Sequence, residues 1–514
     1  MGGTATRVLK NSGYLYMQML YAMFVSLFST RLILNGLGAS DFGIYTIVGG
    51  AIGMLGFLNG AMSSATQRFM SYAEGAGDFE RKKIVFNVSI ILHIFISTIV
   101  VVFLIIFGFI YFNGLLNLPS ERRFAAIIVY CCMTICTIMM ITNVPYVALI
   151  NAHENMRYYS IVGFIETTLK LLVALACFYL DTDRLILYGV LMMLLTGISW
   201  TIMKIFCHKN YEECVFSPRL YWRNDVMKEM TSFAGWSFLS SSTGIILMQS
   251  VSFILNYFFG VLSNAAQGIA NQLSGQIMVF SNTMLSALNP VIVKSEGASD
   301  RKKMLEASMS GSKLSYLILA FIAIPFCVET PYILKIWLKE VPDYAIIFCR
   351  LILIRLLITQ LTVTLGTAIG ATGKMKGVTV YTSLTRIITV ILAIVLYKFK
   401  APIYTIYILL IFMTIIITWS NLYYAKQRCD LKISEFLNKV FVPCLLISFT
   451  TTLICTIPQL FIEPSLIRLL MTGCLSVLTF VLLFYKYGLS TKEKTVLIGL
   501  IESLRIKYNS AFNK

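Results

Sequence analysis

The chain has 514 residues, of which 58% are hydrophobic and 13% charged, and its mean hydropathy is +0.79. A soluble domain needs far more polar surface, so this composition indicates a polytopic membrane protein. The net charge of +18 would suggest nucleic-acid binding in a soluble chain. Here the basic residues cluster in short segments between apolar spans, as the positive-inside rule describes, and we expect no nucleic-acid partner.

The apolar segments predict fourteen membrane-spanning helices, each near the roughly 20 residues that a bilayer requires. The predicted limits are 13–35, 41–70, 84–112, 122–150, 156–180, 183–206, 231–258, 261–290, 311–328, 343–370, 375–398, 401–425, 437–459 and 464–486. If the N-terminus is cytoplasmic, cytoplasmic segments outnumber the opposite side in Lys and Arg by about four to one, which places both termini inside.

An internal repeat organises these spans. The segment AEGAGDFERKK (Ala73–Lys83) recurs as SEGASDRKK (Ser295–Lys303), Ile33-Leu34-Asn35 recurs at 254–256, and Ile150-Asn151-Ala152 recurs in part at 369–371. Six spans separate the copies, so both have the same orientation and a pseudo-two-fold axis along the membrane normal is expected. The loop copies lack the spacing of a phosphate-binding loop, and we interpret each as a turn into the next helix.

The repeat divides the chain into four predicted regions. These are an N-terminal six-helix lobe (1–206), an amphipathic cytoplasmic connector (207–230), a C-terminal six-helix lobe (231–430), and two additional helices with a basic tail (431–514). The predicted fold class is therefore an all-α polytopic membrane protein of two six-helix lobes plus two C-terminal helices.

Charged residues within membrane spans are functional candidates because they are costly to bury there. The basic candidates for binding an anionic substrate in a cavity between the lobes are Arg31, Lys170, Arg355 and Arg386. Arg68, Arg350 and Arg468 are explained by side chains that reach towards an interface. The alternative for Lys170 is an ion pair with Glu166, four residues away, and for Arg31 an ion pair with Asp41.

Two acids are candidates for proton or ion coupling, namely Glu166 and Asp41. A polar stripe on the eighth span adds the candidate substrate-binding residues Gln267, Asn271 and Asn282, together with Ser274 and Asn289. Amides in membrane helices also pair with neighbouring helices, which is the alternative interpretation. The small residues from Gly49 to Gln67 favour close helix packing, with cavity lining as the second interpretation.

Metal and cofactor chemistry is not expected. The twelve cysteines form no C-x-x-C pair, most lie in apolar spans, and only His93, His153 and His208 could join them. No catalytic residue is predicted.

The chain resembles the multidrug/oligosaccharidyl-lipid/polysaccharide (MOP) exporter superfamily, and within it the bacterial O-antigen-type polysaccharide flippases. The resemblance rests on RLILNGLGASDFGIYTIV (Arg31–Val48) and QRFMSYAEGAGD (Gln67–Asp78). It implies that an undecaprenyl-diphosphate-linked oligosaccharide crosses the bacterial inner membrane by alternating access. It also implies membrane lipids and a polysaccharide polymerase or glycosyltransferases as partners, and leaves open whether the last two helices bind such an enzyme.

Two other functions remain open from the sequence. A cation-coupled multidrug exporter would have the same fold, although the basic excess within the spans favours an anionic cargo. A membrane-embedded polysaccharide polymerase or glycosyltransferase would need a long extramembrane loop or paired carboxylates, and no such feature is visible. We therefore expect a transporter and no enzymatic activity.

Overall fold

The computed structural model describes residues 2–53, 56–115, 119–180, 182–338, 340–489 and 494–495, and every regular element within them is helical. Thirteen helices in these ranges are long and apolar enough to cross a membrane. The remaining predicted span, 41–70, falls on the end of one helix and the start of the next, with residues 54–55 outside the described part. The prediction of an all-α polytopic membrane protein is confirmed.

The helices are numbered in chain order. They are α1 Gly2–Gly53, α2 Gly56–Ala76, α3 Phe79–Ile110, α4 Arg123–Ala152, α5 Met156–Tyr179, α6 Arg184–Asn210, α7 Pro218–Tyr221, α8 Asn224–Phe259, α9 Val261–Gly297, α10 Arg301–Leu338, α11 Ala345–Gln360, α12 Val363–Ala371, α13 Lys376–Lys398, α14 Thr405–Cys429, α15 Ile433–Phe436, α16 Val442–Phe461 and α17 Leu466–Leu483.

The first two predicted spans meet at a kink rather than a loop. Within α1 the backbone of Gly38 leaves the helical conformation, with φ +77° and ψ 164°. Glycine reaches this region of φ without the steric cost of a Cβ atom. The chain therefore changes direction between Asn35 and Asp41, where the sequence predicted a turn.

The two copies of the repeated loop each start a helix. Asp78 accepts a hydrogen bond from the backbone N–H of Arg81 at 2.9 Å, and Asp300 accepts one from Lys303 at 3.0 Å. An aspartate in this position satisfies one of the N–H groups that the first helical turn leaves without a partner. The interpretation of both copies as turns into the next helix is confirmed.

The described chain forms two compact units. Unit 1 contains residues 1–12, 242–292 and 300–514, and unit 2 contains residues 13–241 and 293–299. One apolar core of unit 1 is built from α8–α11, α13 and α14, around Phe348 and Tyr407. A core of unit 2 is built from α1 and α3–α6, around Tyr130 and Tyr188.

A buried amide on α3 binds the connector between α6 and α8. The side chain of Asn87, fully buried, donates to the carbonyl of Val215 at 2.8 Å and accepts from the N–H of Ser217 at 2.8 Å. These bonds replace water for two backbone groups of the connector.

Helix α10 is kinked, and side chains from other helices satisfy the carbonyls at the kink. Glu329 is non-helical, and Pro331 has no N–H to offer the carbonyl four residues earlier. That carbonyl, of Cys327, accepts from Arg350 Nε at 2.9 Å. The next one, of Val328, accepts from Gln459 Nε2 at 2.7 Å. Arg350 thus binds backbone and does not extend to an interface.

A buried ion pair at the same kink joins α17 to α10. Arg468 Nη2 lies 2.8 Å from Oε2 of Glu329, and Thr472 donates to Oε1 at 3.1 Å. Glu329 is fully buried and Arg468 is 6% exposed. The explanation of Arg468 as a residue reaching an interface is therefore wrong, because its partner is an acid in the protein interior.

Replacing Arg468 by alanine should destabilise the protein by about 3–5 kcal/mol, because Glu329 would keep a buried charge without a partner. The measurement is thermal unfolding of the purified protein in detergent. Lys439→Ala is the matched control, since Lys439 pairs with Glu435 four residues away at the surface. Its cost should stay below about 0.5 kcal/mol. Equal effects of the two substitutions would contradict a structural role for the Glu329–Arg468 pair.

Candidate functional site

Two of the predicted basic residues lie near each other in unit 1. Arg386 on α13 is half-buried and donates from Nη1 to the hydroxyl of Thr243 on α8 at 3.1 Å. Thr243 also bonds the hydroxyl of Ser383, at 3.2 Å. The hydroxyl of Thr243 thus helps to fix the position of the guanidinium.

Arg355 on α11 lies within electrostatic range of Arg386 and of the Tyr407 phenol. In the part of the chain that the structure describes, no carboxylate forms an ion pair with Arg355, and the Tyr407 hydroxyl is buried without a hydrogen-bond partner. Like charges within electrostatic range repel each other, and a bound anion would relieve the repulsion. A phosphate or diphosphate has the charge for this role.

The polar stripe of α9 lies in several environments. Gln267 is buried, Asn271 is half-buried and Asn282 is exposed. Asn289 accepts a hydrogen bond from Thr367 on α12 at 3.0 Å, so it connects two helices. The glycines of the first two helices also differ. A Cβ at Gly49 would lie 3.2 Å from Cε of Met133, which is close packing, whereas nothing lies within 4 Å of that position at Gly60.

The candidates of unit 2 are mostly ion-paired. Lys170 donates to Glu166 at 2.7 Å along α5, with both side chains partly exposed. Arg31 on α1 is exposed and has no ion pair recorded within the described ranges. The structure thus forms the alternative Lys170–Glu166 pair that the spacing allowed.

Asp41 is paired with a residue that the sequence did not single out. It lies 2.8 Å from Nη2 of Arg122, and Nη1 of the same guanidinium lies 2.9 Å from Asp183. The suggested Arg31–Asp41 pair is therefore wrong. Arg122, directly before α4, reaches both acids, and Asp183 also caps α6. Side chains from α1 and from the starts of α4 and α6 therefore meet here. Arg122 is far from Asp41 along the sequence, so the sequence did not indicate this pair.

The sequence analysis also missed a cluster of charges in unit 2, which we call the connector cluster. It consists of Glu74, Lys82, His153, Glu154, Glu213 and Lys294. The Lys82 ammonium lies 2.8 Å from Glu74 and 3.2 Å from Glu213. His153 Nε2 lies 2.6 Å from Glu213 Oε1, and its ring stacks on Tyr211 with the centroids 4.2 Å apart. Its members come from five segments of the chain, so only long-range folding reveals it.

Two carboxylates of the connector cluster, Glu74 and Glu213, are held in their charged form. Burial by itself would raise the pKa of Glu213, but the hydrogen bond from His153 and the charge of Lys82 lower it to about 2. Burial would likewise raise the pKa of Glu74, and the hydrogen bond from Lys82 together with nearby charges lowers it instead. Both acids are therefore ionised at neutral pH.

Glu74, His153 and Glu213 are of the types that ligate metal ions, and their ligand atoms lie within 4.8 Å of one another. The Lys82 ammonium already contacts both carboxylates, so a divalent cation would have to displace an internal cation. This donor set does not fit a metal site, and the cluster is better described as an ion-pair network.

Comparison with known proteins places this arrangement in a known fold. No family model and no curated protein matches the sequence. A MATE protein in complex with MaL6 matches at a TM-score of 0.68 and 14% identity, covering 84% of this chain and 98% of the other. An outward-facing multidrug resistance MATE transporter of the MOP superfamily matches at a TM-score of 0.71 and 13% identity, covering 83% and 96%.

A further similar structure is a MOP superfamily transporter from Pyrococcus furiosus, with a TM-score of 0.69 and 14% identity over 83% of this chain and 96% of the other. The reverse polarity of its binding pocket is described as suggesting a different function. The present chain therefore has the fold of MATE and other MOP superfamily transporters, as the sequence resemblance implied.

The low pKa of Glu213 makes the connector cluster sensitive to acid only at low pH. A carboxyl with a depressed folded pKa stabilises the protein above its unfolded pKa, near 4.3, and loses this effect as the pH falls towards about 2. Glu213→Gln should therefore lower stability by a constant amount, on the order of 2–3 kcal/mol, from pH 7.5 to 5.5. Below about pH 4.3 the difference from the wild type should shrink.

Thermal unfolding in detergent at pH 7.5, 5.5 and 3.5 measures this difference. Glu212→Gln, at the neighbouring position, is the control and should show no such trend. A gap between wild type and Glu213→Gln that widens with acid would contradict the ionised state of Glu213.

Proposed function

We propose that the protein is a transporter that moves an anionic, lipid-linked oligosaccharide across a bacterial inner membrane by alternating access. The observation that carries this proposal is the pair Arg355 and Arg386 in unit 1, two guanidinium groups that lie within electrostatic range of each other. Guanidinium groups match phosphate oxygens in charge and geometry. An undecaprenyl-diphosphate group supplies the negative charge that these residues would bind.

Other candidate residues take supporting roles in this proposal. Arg31 and Lys170 would bind negative charge, and Gln267, Asn271 and Asn282 would hydrogen-bond the sugars. Both termini would be cytoplasmic, as the distribution of Lys and Arg favours. The chain would keep the proposed regions 1–206, 207–230, 231–430 and 431–514, with a polymerase or glycosyltransferase as a partner supplying or consuming the oligosaccharide.

The pairing of the acids disfavours a cationic cargo. Glu166 is bound to Lys170, Asp41 to Arg122, and Glu329 to Arg468. A cationic drug would have to compete with a base already in contact with each carboxylate. The Pyrococcus furiosus transporter offers a parallel within the same fold, since its reversed pocket polarity is described as suggesting a different function.

The same pairing suggests a coupling mechanism. Protonation of Glu166 would cancel its attraction for Lys170 and release the ammonium to bind an anion. Protonation of Asp41 would release Arg122 in the same way. We therefore assign Glu166 and Asp41 as coupling residues whose protonation controls the availability of a base.

Arg386→Ala and Arg355→Ala should each reduce transport of a fluorescent undecaprenyl-diphosphate oligosaccharide in proteoliposomes at least tenfold, because about 1.4 kcal/mol of lost anion binding corresponds to a factor of ten. Arg386→Lys should lose less, since it keeps the charge but not the fork of donors. Lys398→Ala, an exposed residue at the end of α13, is the matched control and should transport normally.

Transport of a cationic dye in the same liposomes tests the alternative, a cation-coupled multidrug exporter. Movement of the dye without movement of the lipid-linked oligosaccharide would reject our proposal in favour of that exporter. Normal transport of the oligosaccharide by the Arg355→Ala/Arg386→Ala double variant would reject the assigned residues.

Glu166→Gln should remove the dependence of transport on a proton gradient, because the neutral amide imitates a protonated carboxyl and leaves Lys170 released. The measurement compares initial transport rates with and without an imposed pH difference across the liposome membrane. Glu435→Gln, which breaks a surface pair of the same spacing, serves as the control. A gradient dependence equal to that of the wild type would reduce Glu166 to a structural partner of Lys170.

A further inference from the structure

The two copies of the repeated motif contact each other within unit 2. A Cβ atom at Gly75 would overlap the carbonyl oxygen of Lys294, and one at Gly297 would overlap the carbonyl oxygen of Tyr72. Gly75 and Gly297 are equivalent positions of AEG and SEG, and Tyr72 and Lys294 each lie three residues before their glycine. The contact is therefore reciprocal, with each copy presenting a glycine to the backbone of the other.

This paired-motif contact depends on glycine at both positions. Any Cβ closer than about 3 Å to a backbone oxygen forces the two segments apart, because neither atom belongs to a flexible side chain. Small residues permit such close approach of helix backbones in membrane proteins, where van der Waals packing is a main source of attraction.

Charges reinforce the contact in the same reciprocal manner. The glutamate of the first copy, Glu74, lies 3.4 Å from Lys294, which also lies 3.6 Å from Glu154. The glutamate of the second copy, Glu296, lies within electrostatic range of Arg68 on α2. Each motif thus offers an acid to a base on the helix that carries the other motif. The Glu74–Lys294 pair is partly exposed, whereas Glu154 and Glu296 are buried.

The helix that carries the second copy is divided between the two units. Residues 261–292 of α9 belong to unit 1, whereas residues 293–299 belong to unit 2. Pro290 lies inside α9, three residues before this division. A proline removes one helical hydrogen bond and is a common place for a helix to bend. The last turn of α9 is therefore attached to unit 2 next to a point where the helix can change direction.

We propose that the paired-motif contact is a reversible latch, and that the last turn of α9 leaves unit 2, bending at Pro290, once in each transport cycle. The latch rests on the proposed function in one respect, because it requires that the protein undergoes a transport cycle. It does not depend on which cargo is transported. Packing of two backbones, reinforced by the partly exposed Glu74–Lys294 pair, is a contact that can break and form again.

The test measures how fast a thiol at position 295 reacts with a membrane-impermeant maleimide. Ser295 is 4% exposed, so Ser295→Cys should react slowly while the latch is closed. The parent protein carries Cys131→Ser and Cys474→Ser, because those two thiols are exposed. Labelling is compared at rest and during transport, once with the lipid-linked oligosaccharide and once with the cationic dye.

We expect the cargo that is transported to accelerate labelling at least tenfold. Gly75→Val should accelerate it at rest and reduce transport, and Lys294→Gln, which keeps the steric fit, should do both more weakly. Gly235→Ala is the control, because a Cβ at Gly235 meets nothing within 4 Å. Acceleration by the dye alone would reject the proposed cargo and retain the latch.

Labelling that neither cargo changes would overturn the latch. The latch would also be overturned if Gly75→Val and Lys294→Gln both showed the same labelling rate and the same transport rate as Gly235→Ala. Faster labelling with unaltered transport in both variants would also overturn it, since the contact would then play no part in the cycle.

Discussion

The kink of α10 imposes a constraint on which much of unit 1 depends. In a membrane no water reaches the backbone, so the carbonyls freed at the kink need partners from elsewhere in the protein. Arg350 supplies one from α11 and Gln459 supplies another from α16. The carboxylate of Glu329 needs a counter-ion, which Arg468 brings from α17. The last two membrane helices, α16 and α17, therefore supply the hydrogen-bond donor and the counter-ion that the kink of α10 requires. In this way they help to hold unit 1 together.

The charged candidate residues of the two units differ in their partners, which suggests that the two units have different roles. In unit 2 the candidate acids and most of the bases are paired, as in Lys170–Glu166 and Asp41–Arg122. In unit 1 Arg386 donates to the hydroxyl of Thr243 and lies within electrostatic range of Arg355. A base in contact with a carboxylate has to be released before it can bind an anion. The proposed function therefore assigns substrate binding mainly to residues of unit 1 and protonation to residues of unit 2.

Local sequence signals predicted the fold well, and long-range partners were the part that they could not provide. Hydropathy located the spans, and the repeat located two aspartates that start helices, Asp78 and Asp300. The predicted span 311–328 ends before Glu329, whereas the helix continues to Leu338. Its partner Arg468 is remote in sequence, as Arg122 is from Asp41. Residues that pair at this separation leave no periodic pattern in the sequence. The sequence therefore showed which charged residues are present but not which of them form ion pairs.

The repeat shows which features a duplicated motif keeps when its two copies acquire different surroundings. Both copies retain the glycine that admits a neighbouring backbone and the aspartate that begins the next helix. The glutamate beside each glycine has diverged in its partners, because Glu74 enters the connector cluster while Glu296 lies towards Arg68. The close backbone contact permits only glycine at these two positions, whereas an ion pair can form in many arrangements. The reciprocal contact could therefore persist while the charges around it became asymmetric, which lets one copy anchor the connector and the other detach.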